Sequence, residues 1–532
     1  MRLLKKVFVA VLSLVMIVLA TSCNEIKIID ISGSMTIEVY KTSMTIETTF
    51  VDSTDGLLAN EKAKINIIVL DNEESEVTRK NVTIKVDAET SAISSTAVDV
   101  TNLEADSNYT VKLMASLNGF QKVLETKSVK TINNGESAED PILIKTKAGL
   151  EAMSKEPDAY YKLDADLDYE GEELSAIFNS SNKFTGVLDG NGHTISNFKL
   201  DVDTTYSGIF GYLKGADIHD LNISGAVFSA NRGERYIGAL AGYAINSTIS
   251  NVTIDGISVT YQGQTTKTFM VGGLVGYAEK TTIENVEVKN LVYSIDKARL
   301  KGYVGGLIGQ NINSSVKNSS VTGSIKTVIS YTSNSNGSAF VGGFIGLNDS
   351  AKGISSSYAK VDIVVSEIDE LSGNKTHKAF VGGFIGGNST TVCKVNDCAA
   401  IGNITVSIKR SYNVYVGGFA GRLIAGSLAK NCVYVPGEAV EDESGVVTAD
   451  GVKITLMGES GTKEDNVTVQ KAYVGLTVGY MDSQSKVDNV FAYADKFACD
   501  PQPAETNQIV INDSVVSTDL SKLPDAIKDL IK

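Results

Sequence analysis

Phe380 to Asn388 reads FVGGFIGGN, and the chain repeats this apolar, glycine-rich run as MVGGLVG at 270–276, YVGGLIG at 303–309 and FVGGFIG at 340–346. Glycine weakens an isolated strand because it loses the most conformational freedom on folding and offers no side chain to pack. A chain that spends it at intervals must recover that stability from close contact between copies. Aligned on the last glycine of each run, the copies fall at Gly211, Gly242, Gly276, Gly309, Gly346, Gly386, Gly421 and Gly479, separated by 31, 34, 33, 37, 40, 35 and 58 residues. A period in this range is the signature of a stacked-repeat architecture. The last gap holds an extra segment, about Glu438 to Gln470, expected to leave the stack as a loop or hairpin between two rungs.

A second landmark follows each glycine: an apolar residue, any residue, then Asn or Asp. It places Asp220, Asn251, Asn285, Asn318, Asp397, Asn431 and Asn489 in register, with Ser356 in the remaining copy. Each unit supplies only two or three short strands, too few to bury a core alone, so neighbours must stack. Stacking brings equivalent residues to about 4.8 Å, and Asn or Asp at one turn then bridges the backbone and its own copies along the axis. Cys398 and Cys432 stand where other units carry Val or Leu, and read as stacked core thiols, with a disulfide as the alternative.

The strand before each late glycine carries a large residue two positions before a glycine: Met270, Tyr303, Phe340, Phe380, Tyr415 and Tyr473. Either these form an exposed ladder for stacking glycans or they pack under a loop or against another face of the coil; burial statistics for Phe favour packing. Within FVGGFIG, strict alternation sends Val381, Gly383 and Ile385 to the core and Phe380, Gly382, Phe384 and Gly386 to the opposite side.

The flanks differ. Residues 1–22 have a basic start (Arg2, Lys5, Lys6) and an apolar stretch from Val7 to Ala20, too short for an ordinary spanning helix, and read as a secretory signal. The sequence Leu19-Ala-Thr-Ser-Cys23 resembles a bacterial lipobox, which implies lipidation of Cys23, anchoring to the cell envelope, and an outer-membrane or surface location. Residues 23–135 alternate apolar and polar residues between turn signals, a sandwich pattern. Leu103 and Tyr109, six apart before an alternating strand, resemble the tyrosine corner of fibronectin type III domains, where the hydroxyl bonds back to the upstream backbone. Residues 136–200 read as an N-terminal cap and lead-in, with a short helix from Thr146 to Pro157 presenting Leu150 and Met153. Residues 201–500 are the solenoid, and 501–532 a tail whose Leu523, Ile527 and Leu530 fit a capping helix.

Gly273-Leu-Val-Gly276 and Gly306-Leu-Ile-Gly309, with Phe replacing Leu in three further units, make residues 140–500 resemble the GLUG-motif repeat family. The resemblance implies a bacterial surface protein and a right-handed parallel β-helix-like solenoid. The whole chain is then all-β: an immunoglobulin- or fibronectin-like sandwich followed by GLUG repeats.

Family members flank some IgA-cleaving zinc proteases, but the His-Glu-x-x-His pair such chemistry needs is missing: His193, His219 and His377 are followed by Thr, Asp and Lys. No cysteine or histidine spacing forms a metal site, and the glycine runs lack the Lys-Ser/Thr of a phosphate loop, so no metal or other cofactor is expected. Sixty-three acidic against 48 basic residues give a net charge of −15, which argues against nucleic acid as a partner. Asp164, Asp166 and Asp168, at alternate positions, are the candidate ligand-facing carboxylates of a polysaccharide-cleaving alternative; a solvated strand edge is the plainer account. The expected function is a non-catalytic, adhesin-like surface lipoprotein that binds a glycan or an extracellular host protein, or else an architectural subunit of a surface assembly.

Overall fold

A computed structural model defines the fold. It describes residues 31–511 apart from stretches such as 263–267, 332–337, 370–377 and 457–470, and leaves 1–30 and 512–532 outside the description. The signal segment, Cys23 and the C-terminal helix therefore lie outside the described residues. The chain divides into two units, Met1–Asp140 and Pro141–Lys532.

The first unit is an antiparallel sandwich. One sheet pairs Ile31–Val39 with Ser43–Asp52 and further short strands; the other orders Glu76–Asn81, Lys64–Leu70, Asn108–Leu117 and Phe120–Lys130 side by side. Alternation does what period two requires, since Tyr109, Val111, Leu113 and Ala115 are all buried while Lys112 between them is not. The Tyr109 hydroxyl accepts the Glu104 N–H at 2.9 Å, and Leu103 is buried beside it. This is the backward bond that the resemblance to a tyrosine corner implied.

Among the described residues the second unit is a parallel β-solenoid made of three sheets with 20, 9 and 8 strands. One rung shows the plan. Lys378–Gly382 lies in the 9-stranded sheet, Ile385–Gly387 in the 8-stranded sheet, and Lys394–Ile401 with Ile404–Ile408 in the 20-stranded sheet, each bonded in parallel to its copies above and below. Apolar side chains of all three sheets meet in one continuous core from Ile144 to Ala492. At the N-terminal end, the helix Lys147–Glu151 and its 3₁₀ extension Ala152–Lys155 bury Leu150 and Met153 completely, as expected of a cap. Thr146 starts that helix by accepting the Gly149 N–H at 3.1 Å.

The glycine columns explain the repeat. A Cβ on Gly386 would sit 2.5 Å from the Gly346 carbonyl oxygen, and one on Gly421 2.5 Å from that of Gly386; Gly309, Gly346 and Gly479 are equally tight against the copy before them. A second column, Gly273, Gly306, Gly343, Gly383 and Gly418, turns the corner between two sheets, and an added Cβ at each would sit 2.1–2.3 Å from a carbonyl oxygen of the next copy. Here Gly383 N–H donates to Gly418 O at 3.0 Å. Side chains are excluded because backbone occupies their space.

Two expectations need correction. FVGGFIG is two strands, Lys378–Gly382 and Ile385–Gly387, and the bend between them resets the alternation. Phe384 therefore points into the core, stacked between Phe344 at 4.5 Å and Phe419 at 5.1 Å, while Phe380 stays outside it. The segment from Glu438 to Gln470 is also not wholly an excursion. A small antiparallel pair, Val440–Glu441 with Val447–Thr448, is followed by Val452–Leu456, which rejoins the long sheet between Ile404–Ile408 and Ala498–Asp500.

Cys398 and Cys432 are free, fully buried and stacked in the column that carries Ser357 below and Val490 above. Burial pushes the thiols of Cys393 and Cys432 up to about 12. A folded-state value above the ordinary one leaves stability intact below pH 9 and lowers it as pH rises from there toward 12. Alkaline titration of the solenoid should show unfolding in that window, and replacing both cysteines by Val should move the onset upward. Native protein should resist alkylation of these thiols at pH 8 and react fully in denaturant.

Candidate binding surface

The Asn/Asp landmark proves to be a backbone requirement before it is a ladder. Asp220, Asn251, Asn285, Asn318, Ser356, Asp397 and Asn431 all have φ between 50° and 56°, the left-handed region that Asn and Asp tolerate best among side-chain-bearing residues. At each one the strand bends from one arm of the long sheet into the next. The side chains then chain together along the axis: Asn251 Nδ2 donates to Asp220 Oδ1 at 2.9 Å, Asn285 Nδ2 to Asn251 Oδ1 at 3.0 Å, and Asn431 Nδ2 to Asp397 Oδ1 at 2.9 Å. The Asn489 side chain lies outside the described residues.

Sequence reading missed two buried polar columns. Ser247, Thr281, Ser314, Ser427 and Ser485 stand five or six residues after their landmark glycines and are buried. Their hydroxyls accept backbone N–H groups of the previous rung, for example Thr281 N–H to Ser314 Oγ at 3.0 Å and Ser427 N–H to Ser485 Oγ at 3.0 Å. The fixed offset from glycine was the available signal. Asn311 and Asn348 form the second column, with Asn311 Nδ2 donating to Asn348 Oδ1 at 2.7 Å.

Asp164, Asp166 and Asp168 take three different partners. Strand pairing stops at Leu163 and resumes at Leu167, so the alternation that would have aligned them is broken. Asp164 pairs with Lys145 at 3.1 Å, Asp166 accepts the Thr194 N–H at 2.8 Å and meets His193 Nδ1 at 3.1 Å, and Asp168 accepts Glu170 N–H at 2.8 Å. The Asp166 carboxyl is held below its usual range, first by the Thr194 N–H and then by His193. Beside them Asp189, His219 and Asp220 form a surface cluster, but Asp189 also closes the Asp-Gly-Asn-Gly turn by accepting Asn191 N–H at 2.7 Å. Asp220 belongs to the ladder. These carboxylates are employed in turns and rung contacts.

The outward aromatic column is longer than the sequence suggested. In the 9-stranded sheet Tyr206, Tyr236, Met270, Tyr303, Phe340, Phe380, Tyr415 and Tyr473 are consecutive register partners. A second column in the 8-stranded sheet runs Tyr212, Tyr243, Tyr277, Gln310, Leu347, Gly387, Arg422 and Tyr480. The two meet across the corner, with Tyr236 and Tyr243 edge to face at 5.7 Å and Tyr473 and Tyr480 at 5.3 Å. Within a column the rings lie face to face: Tyr243 on Tyr277 at 4.4 Å, Phe340 on Phe380 at 4.4 Å, and Phe380 on Tyr415 at 4.6 Å. Arg422 lies over Phe380 at 4.0 Å and donates to the Asn388 carbonyl.

Face-to-face stacking decides how this surface can be used. Where rings stack, their facing π-surfaces are occupied by the copy above or below, so a sugar cannot lie flat between them. Ring edges and tyrosine hydroxyls remain. Phe340, Phe380 and Tyr415 are buried, whereas Tyr206, Tyr212, Tyr236, Tyr243 and Tyr277 are half-buried and form a contiguous tyrosine patch toward the N-terminal end. Burial, ahead of any neighbouring charge, raises the pKa of Tyr212, Tyr243 and Tyr277, so their hydroxyls stay protonated donors at neutral pH.

Fold and repeat define the class: a parallel β-solenoid built on stacked glycine-rich units. Residues 302–326 match the family described as the GLUG motif. An immunoglobulin A1 protease of Streptococcus pneumoniae (strain ATCC BAA-255 / R6) is 30% identical over 222 residues, 40% of this chain and 10% of that protein. Halomucin of Haloquadratum walsbyi is 35% identical over 136 residues, 22% of this chain and 1% of that protein. The matched region thus spans a tenth or less of these relatives' length. The catalytic domain of a GH87 α-1,3-glucanase solved with tetrasaccharides aligns over 91% of both chains, at 10% identity and a TM-score of 0.19, too low to carry an argument. Among the described residues no helix is long and apolar enough to cross a membrane.

Proposed function

We propose that this chain is a non-catalytic, adhesin-like binding protein, exported and lipid-anchored through Cys23, in which the solenoid displays an extended contact surface. The observation that supports the reading is the half-buried patch formed by Tyr206, Tyr212, Tyr236, Tyr243 and Tyr277 on the outside of the coil. Tyrosine joins an apolar body to a polar tip, and is enriched where proteins meet partners for that reason. Stacking also fixes the rings before a ligand arrives, which reduces the entropy lost on binding. The sandwich and the lipid would hold this surface at the cell envelope.

The test is binding of residues 24–532 to glycan and host-protein arrays. A captured ligand should bind at least about tenfold more weakly to Tyr236→Phe/Tyr243→Phe/Tyr277→Phe, which keeps the stacked rings and removes three hydroxyls. The fold should persist because the stacked rings are kept, with the unfolding midpoint lowered by a few degrees at most for the lost Tyr243–Tyr277 and Tyr277–Glu279 hydrogen bonds. No ligand on either array would remove the support for adhesion. Release of reducing sugar from a polysaccharide panel, abolished by Asp166→Ala, would replace it with the enzymatic reading.

A further inference from the structure

A groove of about 480 Å³ opens on the corner where the 8-stranded sheet passes into the long sheet, lined by Lys280, Thr281, Thr282, Asn313, Ser315 and Lys352. It shares no lining residue with the tyrosine patch, which it adjoins through Glu279 between Tyr277 and Lys280, or with the Asp166–His193 pair. Every polar side chain lining it carries a hydrogen-bond donor, and none is a carboxylate.

Register shows how the groove arises. Ile312 pairs with Asp349 and Val316 with Ile354, so one rung takes four steps (316 − 312) where the next takes five (354 − 349). The extra residue pushes Lys352 outward, where it is exposed and has no ion-pair partner among the described residues. The opposite wall has its own departure from pattern. Gly215, Asn246, Lys280 and Asn313 are equivalent, each donating its N–H to the carbonyl of the next rung, and all four have positive φ. Glycine and asparagine suit that backbone; lysine, at φ 48°, does not. Strain of this kind persists only where the surrounding structure holds it, and here it brings a second ammonium to the groove. Among the described residues Lys280 pairs with Glu279 at 3.2 Å, and Glu284 is engaged by Lys317 at 3.5 Å.

We infer that this groove binds the acidic group of an anionic polysaccharide, a uronate carboxylate or a sugar sulfate, between Lys280 and Lys352, with Thr282, Asn313 and Ser315 addressing neighbouring hydroxyls. The inference rests on the binding reading above and names a ligand class for it. The two ammonium groups supply charge, and the hydroxyl and amide groups supply the hydrogen bonds a saccharide requires. In a chain of net charge −15 this local cationic pair also selects its site among many repelling surfaces.

Calorimetric titration of residues 24–532 with an oligogalacturonate, a sulfated oligosaccharide of the same length and a neutral oligosaccharide tests the inference. Expected is binding of one or both anionic probes, weakened about tenfold or more by Lys280→Asn/Lys352→Ala and by raising salt, with the neutral probe unaffected by the substitutions. Lys280→Asn places a residue suited to positive φ in the strained position, so the unfolding midpoint should not fall, which separates lost binding from lost fold. Equal anionic binding by wild type and variant, or no anionic binding by wild type, overturns the groove. If neutral or protein ligands from the arrays still bind in that case, the binding reading stands without it; if the arrays are blank as well, both fall.

Discussion

Gly383→Val should lower the unfolding midpoint of the solenoid by several degrees, corresponding to roughly 3 kcal/mol or more, at the severe end for a single substitution. The added Cβ overlaps the Gly418 carbonyl oxygen and meets Ala400 Cβ at 3.1 Å, while the Gly383 N–H must keep its 3.0 Å bond to that same carbonyl. Neither obstacle is a flexible side-chain tip, so the rungs themselves must separate. A solenoid is stabilised by nearest-neighbour interfaces, and one widened interface weakens coupling between the units on either side. Thermal unfolding followed by circular dichroism should therefore show a lower and broader transition. Gly192→Ala provides the contrast, because an added Cβ there meets nothing within 4 Å and only its φ of 75° opposes the change. Equal midpoints for Gly383→Val and wild type would show that the glycine column does not set the rung spacing.

The second large effect is expected at Asn251. Replacing it with Ala forces a residue with Cβ into φ 54° and deletes the 2.9 Å and 3.0 Å bonds to Asp220 and Asn285. The conformational part costs about 1–2 kcal/mol and the two exposed hydrogen bonds less than about 1 kcal/mol each, giving roughly 2–3 kcal/mol. Asn251→Gly separates the two contributions. Glycine accepts the left-handed backbone without strain, so this variant should lose only the ladder bonds, about 1 kcal/mol. Urea unfolding of the two variants measures the difference directly. Should Ala and Gly destabilise equally, the side-chain ladder would be the chief role of Asn251 and the backbone bend would be incidental.

Much of this was legible in the chain. The landmark glycines and the Asn/Asp positions lie in register because each obeys a local rule, close backbone approach or positive φ, and stacking repeats that rule at every rung. The alternation of Tyr109 to Ala115 and the capping role of Leu150 and Met153 followed from equally local patterns. The candidate carboxylates were read less well. Alternation at Asp164, Asp166 and Asp168 implied one shared face, yet the strand breaks after Leu163 and each side chain turns to a different element.

What the sequence by itself determined is the architecture: its period, its register, and the positions where only glycine or a left-handed residue fits. Tertiary structure alone decided the directions. The bend at Gly383 and Phe384 sends Phe384 inward although its neighbour in the pattern, Phe380, remains outside. Tertiary structure also brings two strands of tyrosines edge to face across one corner, lets Val452–Leu456 rejoin the coil, and places Lys280 and Lys352 on one groove although they are more than seventy residues apart in sequence. Period-two alternation holds only while a strand continues, so every corner resets which face a residue joins. Contacts between rungs depend on where the corners fall, and that position follows from how the whole stack closes.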